Sequence, residues 1–213
     1  WGMNDFSLSY VVPHPSPPAP PSPPGVWTPA DRPWLYEDRW PGATNWTGVD
    51  GPLLPGHVTS CGRLGMMLGG LDVFGAGSYA EKTFELPPHT GLRIQLRYFR
   101  VDRWGGEEAN VFVDGAKVWE RGFSYLEAGS TSECGTMGHP LNNEIPADAD
   151  FELDHFASSV TVRVTSTLGA SATGSWWGFN DLKIAAVTAR PLPPAPPSPP
   201  GVGAGALYIE RWP

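Results

Sequence analysis

The stretch "ANVFVDGAKVWE", Ala109–Glu120, decides the fold. Two apolar-rich runs flank Asp114-Gly115, and an Asp-Gly pair in that position predicts a two-residue hairpin turn of type I′. Working outward, the neighbouring stretches follow the same period of two. "LRIQLRYFRV" (92–101) sets Leu92, Ile94, Leu96 and Tyr98 on one face and Arg93, Gln95 and Arg97 on the other. "SSVTVRVTST" (158–167) buries Val160, Val162 and Val164 and exposes Thr161, Arg163 and Thr165. "SYAEKTFELPP" (78–88) alternates and stops at Pro87, and "WWGFNDLKIAAV" (176–187) closes the unit. No long stretch sustains a helical period without Gly or Pro. Many short antiparallel strands with one polar face predict an all-β, jelly-roll-like antiparallel β-sandwich.

The ends of the chain repeat each other. "WGMNDFSLSYVV" at the front matches "WGFNDLKIAAVT" from Trp177 without a gap, and "PPAPPSPPGV" follows both. Past that run, "LYEDRWP" from Leu35 recurs as "LYIERWP" from Leu207. This pattern predicts a fragment of a tandem array. Residues 1–12 are read as the closing strand of a preceding repeat, and 13–26 as a polyproline linker. Residues 27–190 form the β-sandwich unit, 191–202 a second polyproline linker, and 203–213 the start of the next repeat. Trp1, Trp27, Trp34, Trp40 and Trp212 are assigned to packing between repeats. The segment from Trp27 to Trp46 wraps either its own sandwich or a neighbour.

The proline runs exclude helix and central strand, because proline lacks the amide donor and fixes φ. They predict polyproline II rods, each roughly 30–40 Å long at about 3.1 Å per residue. Such a rod is a passive spacer, a glycan-bearing stalk or a ligand for an SH3-type domain; an extracellular setting disfavours the last. The residues open to hydroxylation and O-glycosylation are Pro17, Pro18, Pro20, Pro21, Ser22, Pro23, Pro24, Pro193, Pro194, Pro196, Pro197, Ser198, Pro199 and Pro200. Asn45-Trp46-Thr47 is an N-glycosylation sequon at Asn45.

A formal charge of −8 argues against nucleic acid and against an anionic membrane surface as partners. No apolar run approaches the ~20 residues of a membrane span. The two cysteines, Cys61 and Cys134, lack zinc-site spacing. Two buried free thiols are one reading. The sequon and the proline runs favour an oxidising compartment, and with it a Cys61–Cys134 disulfide.

Catalytic motifs are missing: there is no nucleophile elbow, phosphate loop or HExxH. The five histidines are scattered, and His57, His89 and His139 stand beside Gly or Pro in turn-like sequence. Glu107 and Glu108 are adjacent in a glycine-rich loop, which does not suit a pair of glycosidase carboxylates. Calcium is the one ion to consider, with Asp102, Glu107 and Asp181 as ligands and Glu108 and Asn180 nearby. The alternative is that these are solvated turn residues.

"FELPPHTGLRIQLRYFRVDRWGGEEANVFVDGAKVW" (84–119), then Cys134-Gly135, then "ASSVTVRVTSTLGASATGSWWGFNDLKI" (157–184) resembles a repeat domain of large secreted proteins of ciliates and green algae, mastigoneme-type proteins among them. The Ser-Pro-Pro runs resemble the hydroxyproline-rich glycoproteins of volvocine algal walls. The resemblance covers about Cys61 to Ile184. It implies an extracellular glycoprotein fibre, its prolines hydroxylated and carrying arabinose or galactose, and its partners neighbouring repeats or copies of itself. No run of acids surrounds Trp104, which weighs against calcium. The leading expectation is thus a structural fibre repeat without enzymatic activity. A carbohydrate-binding sandwich module is the alternative, suggested by the ten tryptophans.

Overall fold

The computed structural model describes residues 33–53, 55–136, 142–170 and 173–188. The described residues form β1 (Tyr36–Asp38), β2 (Thr47–Gly48), β3 (Gly51–Pro52), β4 (Val58–Ser60), β5 (Met66–Gly69), β6 (Tyr79–Glu85), β7 (Gly91–Asp102), β8 (Gly105–Val113), β9 (Ala116–Ser124), β10 (Glu144–Asp154), β11 (Ser159–Ser166) and β12 (Ser175–Val187). Two antiparallel sheets pack face to face. The first has the order β10-β7-β12-β5-β4, with β1 also on β12; the second has the order β3-β2-β6-β11-β8-β9. The expected all-β sandwich is the observed fold.

Alternation explains the core. Leu92, Ile94, Leu96 and Tyr98 of β7 face Val160, Val162 and Val164 of β11 within one buried cluster, joined by Trp46, Trp104, Trp177 and Phe179. The Asp-Gly turn forms as read: Asp114 and Gly115 both have positive φ (49° and 82°), and Val113 pairs with Ala116. Both positions of a type I′ turn need this backbone, and Gly and Asp tolerate it best.

β12 is the spine of the first sheet. It pairs with β7 along its length, and its other edge is shared by β5 at Gly178–Phe179 and β1 at Leu182–Ile184. A register shift between Asn180 and Lys183 makes room for that change of partner, with Asp181 at φ 52° inside the bulge. Gly178 is required where β5 crosses. A Cβ there would lie 2.6 Å from the Met67 sulfur and 2.8 Å from the Leu68 carbonyl.

Trp34 and Trp40, assigned to packing between repeats, both contact their own sandwich. The segment after Pro33 joins its own sandwich, because β1 adds to the free edge of β12 and draws its flanks onto that sheet. Trp40 packs against the core, donates from Nε1 to the Phe179 carbonyl (2.9 Å) and meets the rings of Trp46 and Phe179 edge-on. Trp34 lies against Arg93 and Lys183 of its own domain. Trp1, Trp27, Trp212 and the proline-run positions lie outside the described residues.

Candidate functional site

The outer face of the first sheet divides into a covered half and an open half. On the covered half, Phe99 and Val101 of β7 point away from the core yet are fully buried. Cys61 and Cys134 form a disulfide, Cα–Cα 4.6 Å, and with Met67, Leu64, Leu71 and Trp176 lie over them as a second, smaller core. Buried carboxylates hold this flap down. Glu144 accepts from the Glu133 and Cys134 amides (2.5 and 3.2 Å), and Asp102 accepts from the Thr136 amide and hydroxyl (2.9 Å each for the shorter contacts). Arg100, fully buried between them, balances this charge in part and donates to the Asp102 carbonyl and to Asn143 Oδ1. Burial lowers its pKa, an effect opposed by Glu127, Glu144 and Asp102.

That arrangement accounts for the calcium candidates. Asp102 is an anchor whose two oxygens serve Thr136. Glu107 turns back to accept from the Gly105 amide (2.5 Å). Asp181 stands in the β12 bulge on the open half of the sheet. The three are not gathered into a cage. Among the described residues the group with metal-type donor atoms within 4.8 Å of one another is Cys61, Cys134 and Glu144, and both sulfurs are spent in the disulfide.

The open half is different. Here β10, β7 and β12 present Asp148 and Asp150, Gln95 and Arg97, and Asp181 and Lys183 around a trough of about 370 Å³. Arg93 grips Asp150 with two hydrogen bonds (2.9 and 2.7 Å), and Gln95 Nε2 donates to the same carboxylate (2.6 Å). Arg97 Nε donates to Asp148 Oδ1 (2.7 Å). These hydrogen bonds hold the Asp150 carboxyl below the usual carboxylate range, Arg93 first, against a smaller opposing effect of burial. Next to the lining residue Lys183, the Trp34 ring carries the Arg93 guanidinium 5.3 Å and the Lys183 ammonium 5.6 Å from its centroid. In the lining two cations, Arg97 and Lys183, meet three carboxylates, Asp148, Asp150 and Asp181, and Arg93 beyond it pairs with Asp150.

Part of the tryptophan count that suggested a sugar platform serves the core. Trp46, Trp104 and Trp177 are fully buried core residues. Asp148 and Asp150 were missed in the sequence, although their signal was present. "ADADFELD" sets acids at every second position of β10, opposite the Arg-Gln-Arg alternation of β7, with Asp148 paired to Arg97 and Asp150 to Gln95.

A second polar cluster lies at one end of the sandwich. His89 Nδ1 donates to the Pro87 carbonyl (2.7 Å), and His89 Nε2 shares a hydrogen bond with His155 Nδ1 (2.6 Å). His155 Nε2 bonds Asp114 Oδ2 (2.9 Å), whose Oδ1 accepts from the Thr161 amide (2.8 Å). The rings stack at 4.9 Å, and both are buried. Three loops from two sheets are tied together by this relay. His89 was read as a turn residue, and its partners, distant in sequence, were not foreseen.

Asn45 is exposed, at φ 65° in the loop before β2. Its sequon partner Thr47 donates from Oγ1 to the Glu81 carbonyl (3.2 Å).

The class that fold and site define is a two-sheet β-sandwich with an open polar trough on one sheet. No protein family matches the chain, and no curated protein does. Solved structures similar to it include a CBM22-1 xylan-binding domain of Paenibacillus barcinonensis Xyn10C, at 11% identity and a TM-score of 0.46, covering 74% of this chain and 97% of that one. A C-terminal CBM6 of the LamC laminarinase of Zobellia galactanivorans is 14% identical with a TM-score of 0.37, covering 71% and 92%. Dimeric latent PorU of Porphyromonas gingivalis is 14% identical with a TM-score of 0.39; the match covers 55% of this chain but only 11% of PorU. Scores this low assign no family, and the reading of the site rests on its own residues.

Proposed function

We propose that this sandwich is a non-catalytic carbohydrate-binding module of an extracellular protein and that the open trough takes a neutral saccharide. The trough itself carries the reading. The Trp34 ring, next to the lining residue Lys183, adds apolar surface for the C–H face of a sugar. Planar Arg, Asp and Gln side chains, already held in place by one another, offer paired donors and acceptors to hydroxyl groups at little ordering cost. Two of its carboxylates are already paired with arginines, which suits a ligand without net charge. The disulfide and the exposed Asn45 sequon support an oxidising, glycosylating compartment. Glycan-array screening of the chain, followed by titration calorimetry, tests this. Saturable binding to neutral saccharides is expected; binding to none of them rejects the reading.

A second reading, a structural repeat of an extracellular fibre, is favoured by the matching sequences at the two ends. Electron microscopy of the native protein tests it through a filament with the repeat's period. Mass spectrometry of the same material is expected to find hydroxyproline in the proline runs and a glycan on Asn45. Native material that shows neither filament nor modification rejects this second reading.

A further inference from the structure

A cavity of about 280 Å³ lies between the loop that follows β1 and the strands β4 and β5. Trp40 and Pro41 of the loop, Leu53, Val58 of β4 and Leu68 of β5 line it. Every lining residue is apolar except Thr44 and Asn45. The walls are fixed by the fold. Trp40 Nε1 donates to the Phe179 carbonyl (2.9 Å), its ring meets Trp46 and Phe179 edge-on, and Leu68 belongs to the core. Trp40, Leu53 and Val58 are nevertheless only partly buried, so the cavity presents apolar surface that the fold leaves uncovered.

Asn45 both lines this cavity and is exposed, and it is the acceptor of the sequon Asn45-Trp46-Thr47. Two independent observations therefore meet at one residue. The sequence marks Asn45 as a place where a sugar can be attached, and the tertiary structure sets an uncovered apolar cavity beside it.

We infer that this cavity is the seat of the first sugar of a glycan carried on Asn45, the N-acetylglucosamine of a eukaryotic secretory pathway, so that the domain binds its own modification. The sugar is supplied by a lipid-linked oligosaccharide diphosphate. Asn45 Nδ2 forms a bond to C1 of the sugar, and the bond from C1 to the diphosphate oxygen breaks. The lipid diphosphate leaves, and the amide proton passes to a base of the transferase. The C–H face of the ring and the acetamido methyl group are apolar and match the indole and aliphatic walls. The volume lies below the ~300–1,000 Å³ of pockets for drug-sized ligands, which suits one ring rather than a chain of them. A sugar tethered at the cavity's own lining has an effective concentration on the order of mM, so a modest contact fills the seat. Walls already held in place add little ordering cost. The cavity shares no residue with the trough, and the inference does not depend on how the trough is read.

The test uses the full chain secreted from a eukaryotic host, with its glycan trimmed enzymatically to the single N-acetylglucosamine and its occupancy read by intact mass. The comparison is Asn45→Asp, which cannot be glycosylated and keeps a residue type that tolerates the φ of 65°. If that variant fails to fold, the folded glycoprotein stripped by an amidase, which leaves an aspartate at the same position, replaces it. Nuclear Overhauser cross-peaks between the acetamido methyl group and the Trp40 indole are expected in the single-sugar form. That form should also melt about 2–4 °C above the glycan-free one, the shift a modest contact gives in a chain of this size. An occupied Asn45 without such cross-peaks and with equal melting overturns the inference, and so does an Asn45 that the host leaves unmodified. Neither result bears on saccharide binding in the trough.

Discussion

Asp114 does three things at once, and each has a chemical reason. Its backbone tolerates positive φ, as Asp and Asn do better than other residues with side chains. One carboxylate oxygen fixes the Thr161 amide, and the other fixes His155. Asp114→Ala leaves both donors without their partner, and His155 is buried. An unsatisfied buried donor costs about 1–3 kcal/mol. Urea denaturation should therefore show Asp114→Ala less stable by an amount in that range. Asp114→Asn should fall between the two, since it keeps the turn and one acceptor. An alanine variant as stable as wild type would show that the relay carries no stability.

At the level of elements, the β7–β10 ladder and the disulfide flap respond to different conditions. Arg93 and Gln95 stabilise Asp150 in its ionised form, so its folded pKa is depressed. A depressed carboxylate contributes stability above its unfolded pKa of about 3.9, and that contribution is lost as pH falls through the folded value. The side chain is 41% exposed, which keeps the effect small. In acid titrations of stability below about pH 4, Asp150→Asn should show a shallower decline than wild type. Parallel curves would remove the pair from the account. The flap responds to reductant. Cys61 and Cys134 are 73 positions apart, and a cross-link closing a loop of that size contributes about 4 kcal/mol in the chain-entropy model. Reduction should lower the melting temperature and uncover Phe99, Val101 and Met67 to a hydrophobic dye. Unchanged melting on verified reduction would mean that Glu144 and Asp102 hold the flap without the sulfur bridge.

The whole molecule separates frame from site. Its core is one sandwich closed by β12, and its outer surface on the first sheet is half sealed and half open. Exchanging outward side chains of the open half leaves the packed interior, where a single methylene is felt, untouched.

The sequence by itself determined the strands and their inward faces. A period of two dictates which side chains share a face, and Asp-Gly dictates a tight turn, so β7, β11 and the β8–β9 hairpin were legible. It also exposed the repeat, which needs no structure. What covers an outward face is a matter of contacts between residues distant in the chain, and no local period encodes it. Phe99 and Val101 continue the outward row of Arg93, Gln95 and Arg97, yet the Cys61–Cys134 flap buries them. Trp40 and Trp34 stand in one short segment, yet one packs against the core and the other lies under Arg93 and Lys183 on the outer face. His89 and His155 meet only because their loops end at the same edge of the sandwich. In each case the choice was made by which strand edge was free and which surface remained to be covered, and both depend on the assembled sheets.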